Sequence, residues 1–104
     1  MIEVIYLNKV SKFVLSLKNS SKNRIITLVD MLEEHGNLIE MPYSKSLGNG
    51  LFELRFLGEE NIRIIYCFHK NKAYLLHSFL VYSKSYKFLD RYQLQILILR
   101  GFSI

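Results

Sequence analysis

Three closely spaced apolar runs constrain the fold more than any other feature of the sequence. The runs Leu51 to Phe56, Ile62 to Phe68 and Ala73 to Val81 are rich in the aromatic and β-branched residues that favour strands. Short turns containing glycine, asparagine and charged residues separate the runs. Connections this short join antiparallel neighbours, so the sequence predicts a three-strand meander.

The first fifty residues have a different hydrophobic period. A short apolar run from Ile2 to Leu7 predicts a strand. Helical spacing then predicts one helix from about Asn8 to Lys18 and a second that Ser20 or Ser21 caps and Gly36 ends. The two stripes consist of Val10, Phe13, Val14 and Leu17, followed by Ile25, Leu28, Val29 and Leu32. Helices joined by so few residues form an antiparallel hairpin.

The remaining segments complete a single-domain prediction. Residues 37–50 contain the only proline and a Gly-Asn-Gly run, which is typical of a loop. Residues 86–99 predict a C-terminal helix, although residues 94–99 also fit a strand. No repeat or linker divides the chain, so residues 1–104 are predicted to form one α+β domain with the order β-α-α-β-β-β and a final helix.

Charge and targeting features indicate a basic cytoplasmic protein. The formal charge of +5 and the isoelectric point near 9.4 favour a polyanionic partner, either nucleic acid or an acidic protein segment. The N-terminus lacks signal-peptide features, and no window approaches the roughly 18 uncharged apolar residues of a membrane span. The single Cys67, within an apolar run, is consistent with a reducing compartment.

Strand alternation places candidate binding residues on one face of the predicted sheet. Three apolar side chains of the first meander strand share a face and are predicted to cover the helices: Phe52, Leu54 and Phe56. Arg55 therefore points to the opposite, open face. Arg63 has two equally weighted interpretations, a cross-strand pair with Glu53 or a second cation of a phosphate site. Alternation does not decide which face of its strand meets the helices.

Basic and aromatic residues alternate after the last strand, from Tyr82 to Lys87. Such a segment suits stacking on RNA bases and binding of phosphates, although an ordinary solvated turn has similar weight. Lys45 is a weaker candidate of the same kind in the long loop. His77 has apolar neighbours and is predicted to be a core histidine rather than a general base.

Several classes of chemistry lack their motifs here. The sequence has no glycine-rich phosphate loop, nucleophile elbow, Cys–His dyad or zinc-ligand spacing, so no cofactor or metal is expected. The chemistry left to Arg, Lys and Tyr is metal-free attack of an RNA 2′-hydroxyl on the adjacent phosphate. The catalytic candidates are Arg55, Lys84 and Tyr86. The RNA-binding candidates are Lys45, Arg63, Tyr82 and Lys87.

The run from Met41 to Phe56 resembles the phage-derived, HigB-like branch of the RelE/ParE toxin superfamily. Its pattern is P-x-S-K-x-L-G-x-G-L-x-E-L-R, followed by R-I-x-Y at residues 63–66 and L-L-H-x-F at residues 75–79. The resemblance implies a toxin of a type II toxin–antitoxin system that cuts mRNA on the translating ribosome. It also implies an antitoxin, often of helix-turn-helix type. Arg55 and Lys45 match the family best; Arg63 and Tyr66 follow, although Tyr66 fits the core equally well.

One departure from the family leaves a second hypothesis open. The family has a lysine pair after L-L-H-x-F, whereas this chain has Leu80-Val81-Tyr82-Ser83. Either Lys84 and Lys87 replace the pair, or the protein is a non-catalytic binder on the same fold: a ParE-like inhibitor of a protein target or a degenerate toxin that binds only its antitoxin. The apolar tail, residues 96–104, fits a drifted or frameshifted C-terminus. It suits an antitoxin or homodimer contact if exposed, or ordinary core, so the oligomeric state stays open.

Overall fold

The order of helices and strands follows the predicted change of hydrophobic period. The computed structural model describes residues 1–58 and 60–81. Within these residues lie two α-helices, one 3-10 helix (Gly36–Leu38) and five strands. The strands and α-helices are β1 (Glu3–Tyr6), α1 (Asn8–Leu15), α2 (Asn19–His35), β2 (Ser44–Gly48), β3 (Leu51–Phe56), β4 (Ile62–His69) and β5 (Lys72–Leu80).

The five strands form one mixed sheet in the order β1-β5-β4-β3-β2. The meander from β3 to β5 pairs antiparallel throughout, as predicted. β1 pairs in parallel with β5, with Glu3 opposite Lys72 and Tyr6 opposite Leu75. A parallel pair needs a long connection between its strands, and both helices lie within that connection. The α+β class with an N-terminal strand, two helices and a meander is therefore confirmed.

The main core lies between the helices and one face of the sheet. Leu54 and Phe56 of β3 are buried there, and Phe52 packs against them, which confirms the predicted face of this strand. The helices contribute buried side chains at the predicted spacing, Val10, Ile25, Leu28, Val29 and Leu32, and Leu17 is buried in the short connection between the two helices. Full burial of each such side chain contributes about 1.5–3 kcal/mol relative to exposure, so this interface is the principal stabilising layer.

The prediction of a loop over residues 37–50 is wrong for Ser44–Gly48, which forms β2. Ser44 lies opposite Leu54 and Ser46 opposite Phe52 in the antiparallel ladder with β3. The connection to β3 is the predicted turn, where Gly48, Asn49 and Gly50 all have positive φ angles. Only Ser44 is buried in β2. An edge strand with so little apolar content has no alternation of apolar and polar residues, so the sequence does not predict β2 as a strand.

The helix boundaries also differ from the prediction. α1 ends at Leu15 rather than near Lys18, and the Ser16 hydroxyl donates a hydrogen bond of 2.6 Å to the Phe13 carbonyl. α2 begins at Asn19, so Ser20 and Ser21 lie inside the helix and do not cap it. A side-chain hydroxyl that satisfies a helical carbonyl offers the chain a local alternative to continuing the helix. Gly36, with φ of 55°, ends α2 as predicted.

The predicted C-terminal helix, residues 86–99, lies outside the described residues. Among the residues that are described, no helix is long and apolar enough to cross a membrane.

A buried hydrogen bond ties β2 to the core and yields a prediction. The hydroxyls of Ser44 and Tyr66 are 2.6 Å apart, and both residues are less than 5% exposed. We expect Tyr66→Phe to lower the free energy of unfolding by about 1–3 kcal/mol, because it leaves the Ser44 hydroxyl buried without this partner. Urea unfolding of the single variants and the Ser44→Ala, Tyr66→Phe double variant measures the coupling. Additive effects of the two changes would contradict this contact.

Candidate functional site

The face of the sheet turned away from the helices combines an apolar cluster with a group of charges. Ile64 and Tyr66 of β4 point toward the helices. This identifies the face of β4 that meets the helices, which alternation in the sequence did not decide. The open face carries a second cluster of buried residues, Leu51, Ile65, Cys67 and Leu76. Burial raises the pKa of the Cys67 thiol to about 11, so this cysteine remains a protonated, unreactive side chain at neutral pH.

The charges of the open face meet where β2, β3 and β4 lie side by side. Lys45 is the cross-strand partner of Glu53, and Arg55 is the cross-strand partner of Arg63. Oε1 of Glu53 lies 3.5 Å from Nε of Arg55 and 3.5 Å from Nε of Arg63. One carboxylate therefore lies between two guanidiniums that would otherwise repel each other across the ladder. We call Lys45, Glu53, Arg55 and Arg63 the charged corner.

The two arginines of the charged corner occupy different environments. Arg63 is 5% exposed, and its Nη1 donates a hydrogen bond of 3.0 Å to the Ile62 carbonyl. The Arg55 side chain is 28% exposed, and its Nη1 contacts the Met41 sulfur at 3.6 Å. Of the two interpretations of Arg63, the structural pair with Glu53 is present. Arg55 is the guanidinium of this corner that an incoming anion can reach.

Glu53 is the least exposed charged side chain of the corner, at 1%. Burial raises its pKa, whereas Arg63, Arg55 and Lys45 each act in the opposite direction. Within residues 1–58 and 60–81, Oε2 of Glu53 and Nε of Arg63 have no hydrogen-bond partner. The carboxylate is therefore held by charge rather than by well-formed hydrogen bonds. Three cations against one carboxylate leave the corner net positive.

The structure brings together only part of the predicted site. Lys45, Arg55 and Arg63 meet in the charged corner, as described above. Tyr82, Lys84, Tyr86 and Lys87 lie outside the described residues. Tyr66 belongs to the core at 1% exposed. The sequence indicates Glu53 only as a partner for Arg63 and does not reveal its central position between the two arginines. The available signal was the alternation of β3, which places Glu53 and Arg55 on one face but does not give the register with Arg63.

His77 lies on the open face beyond the apolar cluster. It is the cross-strand partner of Ile65 at a bulge in β5, and its ring centroid lies 5.6 Å from that of Phe79. The residue is half-buried rather than fully enclosed. Burial lowers the pKa of His77, and the positive charge of Lys9 lowers it further. The imidazole is therefore neutral at pH 7.

The mixed sheet has helices on one face and the charged corner on the other. These features define a small basic α+β protein suited to an anionic partner. The chain belongs to the family of phage-derived, Gp49-like proteins, whose model matches residues 12–87. This is a toxin-like family of toxin–antitoxin systems within the RelE/HigB-type superfamily, and it implies an antitoxin partner. No curated protein gives a significant match to the chain.

Removal of the central charge tests the charged corner. We expect Glu53→Gln to lower the free energy of unfolding by about 3 kcal/mol, because it leaves the buried Arg63 guanidinium without a counter-charge. Urea unfolding at pH 7 measures the effect. Glu3→Gln is the matched control, since its pair with Lys72 spans 4.0 Å between side chains about half exposed, and such pairs contribute little. Equal effects of the two substitutions would reject the role given to Glu53.

The environment of His77 predicts a pH dependence of stability. Its pKa in the folded protein lies below the ordinary value of 6.5, so the unfolded chain binds the proton more readily. The stability that this group contributes is fully present above pH 6.5. It is lost as the pH falls from 6.5 through the lower pKa of His77 in the folded protein. We expect wild type to lose more stability between pH 7.5 and 5.5 than His77→Gln, by at most about 1.4 kcal/mol per pH unit. Urea midpoints at both pH values measure this, and parallel losses would contradict it.

Proposed function

We propose that the protein is the toxin of a type II toxin–antitoxin system and acts as a metal-free, ribosome-dependent mRNA endoribonuclease of the HigB-like branch. The observation that carries this proposal is the position of Arg55. Its guanidinium lies on the open face, partly exposed, with Lys45 on the neighbouring strand. Glu53 is its one carboxylate partner within the described part of the chain. Membership of a toxin-like family adds independent support.

The proposed reaction is attack of an RNA 2′-hydroxyl oxygen on the adjacent phosphorus. A bond from the 2′-oxygen to phosphorus forms, the bond to the 5′-oxygen breaks, and the products are a 2′,3′-cyclic phosphate and a 5′-hydroxyl. Negative charge grows on the phosphoryl oxygens in the transition state, where a fixed guanidinium stabilises it. Arg55 has this role in the proposal. Lys84 and Tyr86 are proposed to move the protons, one from the 2′-hydroxyl and one to the leaving 5′-oxygen.

The remaining residues of the proposed site bind the RNA. Lys45, which is exposed on edge strand β2, is proposed to contact a neighbouring phosphate. Tyr82 and Lys87 are proposed to stack on a base and to bind the backbone, respectively. Arg63 is proposed to add positive potential from below the surface, because its guanidinium is engaged with Glu53 and the Ile62 carbonyl.

Induced expression tests this function directly. We expect wild type to arrest growth and to cleave translated mRNA, and Arg55→Ala to reduce the cleavage rate by about 10²–10³-fold, since one fixed donor to the developing charge is lost. Primer extension on a translated reporter measures cleavage. Lys12→Ala is the matched control, because it removes one exposed positive charge from α1. Growth arrest with intact transcripts would reject the nuclease.

A non-catalytic binder on the same fold is the second candidate. The specific observation in its favour is the absence of the family's lysine pair after β5, where the chain has Leu80-Val81-Tyr82-Ser83. Toxicity with DNA damage and intact mRNA would identify a ParE-like inhibitor of a protein target. Stable antitoxin binding without toxicity would identify a degenerate toxin.

A further inference from the structure

Two rings lie side by side on the open face near the end of β5. The ring centroids of His77 and Phe79 are 5.6 Å apart, and their planes are tilted by 32°. Their cross-strand partners on β4 are Ile65 and Arg63, respectively, so both rings lie on the same face as the charged corner. We call His77 and Phe79 the ring pair. The open face therefore has an aromatic surface next to its cationic one.

The register of the sheet fixes the distance between the ring pair and the charged corner. Arg63 lies between Arg55 on β3 and Phe79 on β5. Neighbouring strands are about 4.8 Å apart, so the backbones at Arg55 and Phe79 are separated by roughly 10 Å. A nucleic acid strand whose phosphate binds at Arg55 therefore has an adjoining base within reach of the rings.

The packing of the ring pair suits a binding surface rather than a closed core. Phe79 packs against the buried apolar cluster of the open face, which holds its ring in place, and both residues are only half-buried. Within residues 1–58 and 60–81, the His77 imidazole forms no hydrogen bond. Histidines enclosed in a core are usually hydrogen-bonded, and a neutral imidazole has one donor and one acceptor nitrogen. The ring pair thus offers a ligand an aromatic surface together with a donor and an acceptor.

A lysine of the first helix adds positive charge beside the ring pair. α1 packs against β5, and the charge of Lys9 contributes to the lowered pKa of His77. Lys9 is exposed and forms no ion pair within the described part of the chain. No Asp or Glu occurs in the sequence of α1, so its own helix does not neutralise this charge. An ammonium is therefore available to a phosphate near the rings.

We propose that the ring pair binds a nucleobase next to the scissile phosphate and thereby sets the base preference of the cleavage site. The base stacks on the rings, the imidazole nitrogens bind its edge, and Lys9 binds a backbone phosphate of the same strand. This inference rests on the proposed function for the identity of the RNA. A nucleobase fits better than an acidic peptide, because a carboxylate makes no use of two aromatic faces. A purine is the expected base, since its larger ring system covers more of the pair.

The experiment compares two uncleavable oligomers of equal length and charge, each added to the purified full chain. One is fluorescent 2′-O-methyl oligoadenosine, and the other is the same sugar–phosphate backbone without bases. The ratio of their dissociation constants, measured by fluorescence anisotropy, separates the contribution of the bases from that of the phosphates. We expect wild type to bind the oligoadenosine at least about tenfold more tightly, and His77→Ala to lower this ratio about fivefold or more, because a stacked base is lost.

Further variants assign the separate parts of the site. His77→Gln keeps a polar side chain but has no ring, so it is expected to lose as much of the ratio as His77→Ala. His77→Phe keeps a ring and is expected to retain most of it. Lys9→Ala is expected to weaken binding of both oligomers and to leave the ratio unchanged, because it removes a phosphate contact.

Matched controls separate the ring pair from general effects. His35→Ala removes an exposed imidazole at the end of α2, and Lys12→Ala removes an exposed charge of α1. Both are expected to keep the wild-type ratio, and urea unfolding checks that every variant is folded. Equal binding of the two oligomers by wild type, or an unchanged ratio in both His77→Ala and His77→Gln, would overturn the proposal. Equal weakening by Lys9→Ala and Lys12→Ala would remove Lys9 from the site.

Cleavage by the wild type provides a second readout on translated reporters. His77→Gln is expected to cleave with no base preference at one position beside the scissile bond, as mapped by primer extension. An unchanged preference at every position would contradict the role given to His77.

The binding result is independent of catalysis. Base-dependent binding by a wild type that cleaves no mRNA would reject the nuclease and retain the ring pair. Cleavage of translated mRNA by a wild type that binds both oligomers equally would reject the ring pair and retain the nuclease.

Discussion

The contact of one buried carboxylate with two guanidiniums determines the arrangement of the open face. Arg55 and Arg63 are direct cross-strand partners, a position in which like charges destabilise a sheet. Oε1 of Glu53 lies 3.5 Å from each of them and removes that repulsion. With both guanidiniums held by the same carboxylate, the positive charge of this face is fixed at the junction of β2, β3 and β4.

The rest of the open face limits where an anion can bind. Leu51, Ile65, Cys67 and Leu76 form a buried apolar cluster over the middle of the sheet. Lys45 and Arg55 lie toward edge strand β2 instead, and the Arg55 side chain contacts Met41 just before that strand. Lys45 and Arg55 are thus grouped at one corner of this face.

The sequence predicts those parts of the fold in which one period dominates. In β3 the alternation of Phe52, Leu54 and Phe56 with polar residues is enough to assign Arg55 to the open face. β4 is apolar on both faces, so alternation could not orient Arg63; only its register with β3 does so. β2 is missed because its burial is confined to Ser44. The position of Glu53 between two arginines depends on the register of β3 with β4, which no local pattern reveals.

The energetics of the charged corner bear on its purpose. Apolar side chains of similar volume often replace a buried ion cluster without loss of stability, because desolvation offsets much of the attraction between the charges. The pKa of Glu53 agrees with this cost, since burial raises it while three neighbouring cations lower it. Stability alone is therefore a weak explanation for the cluster. Its clearest physical consequence is a partly exposed Arg55 held in one place, with its charge available to a phosphate or to a partner's carboxylate.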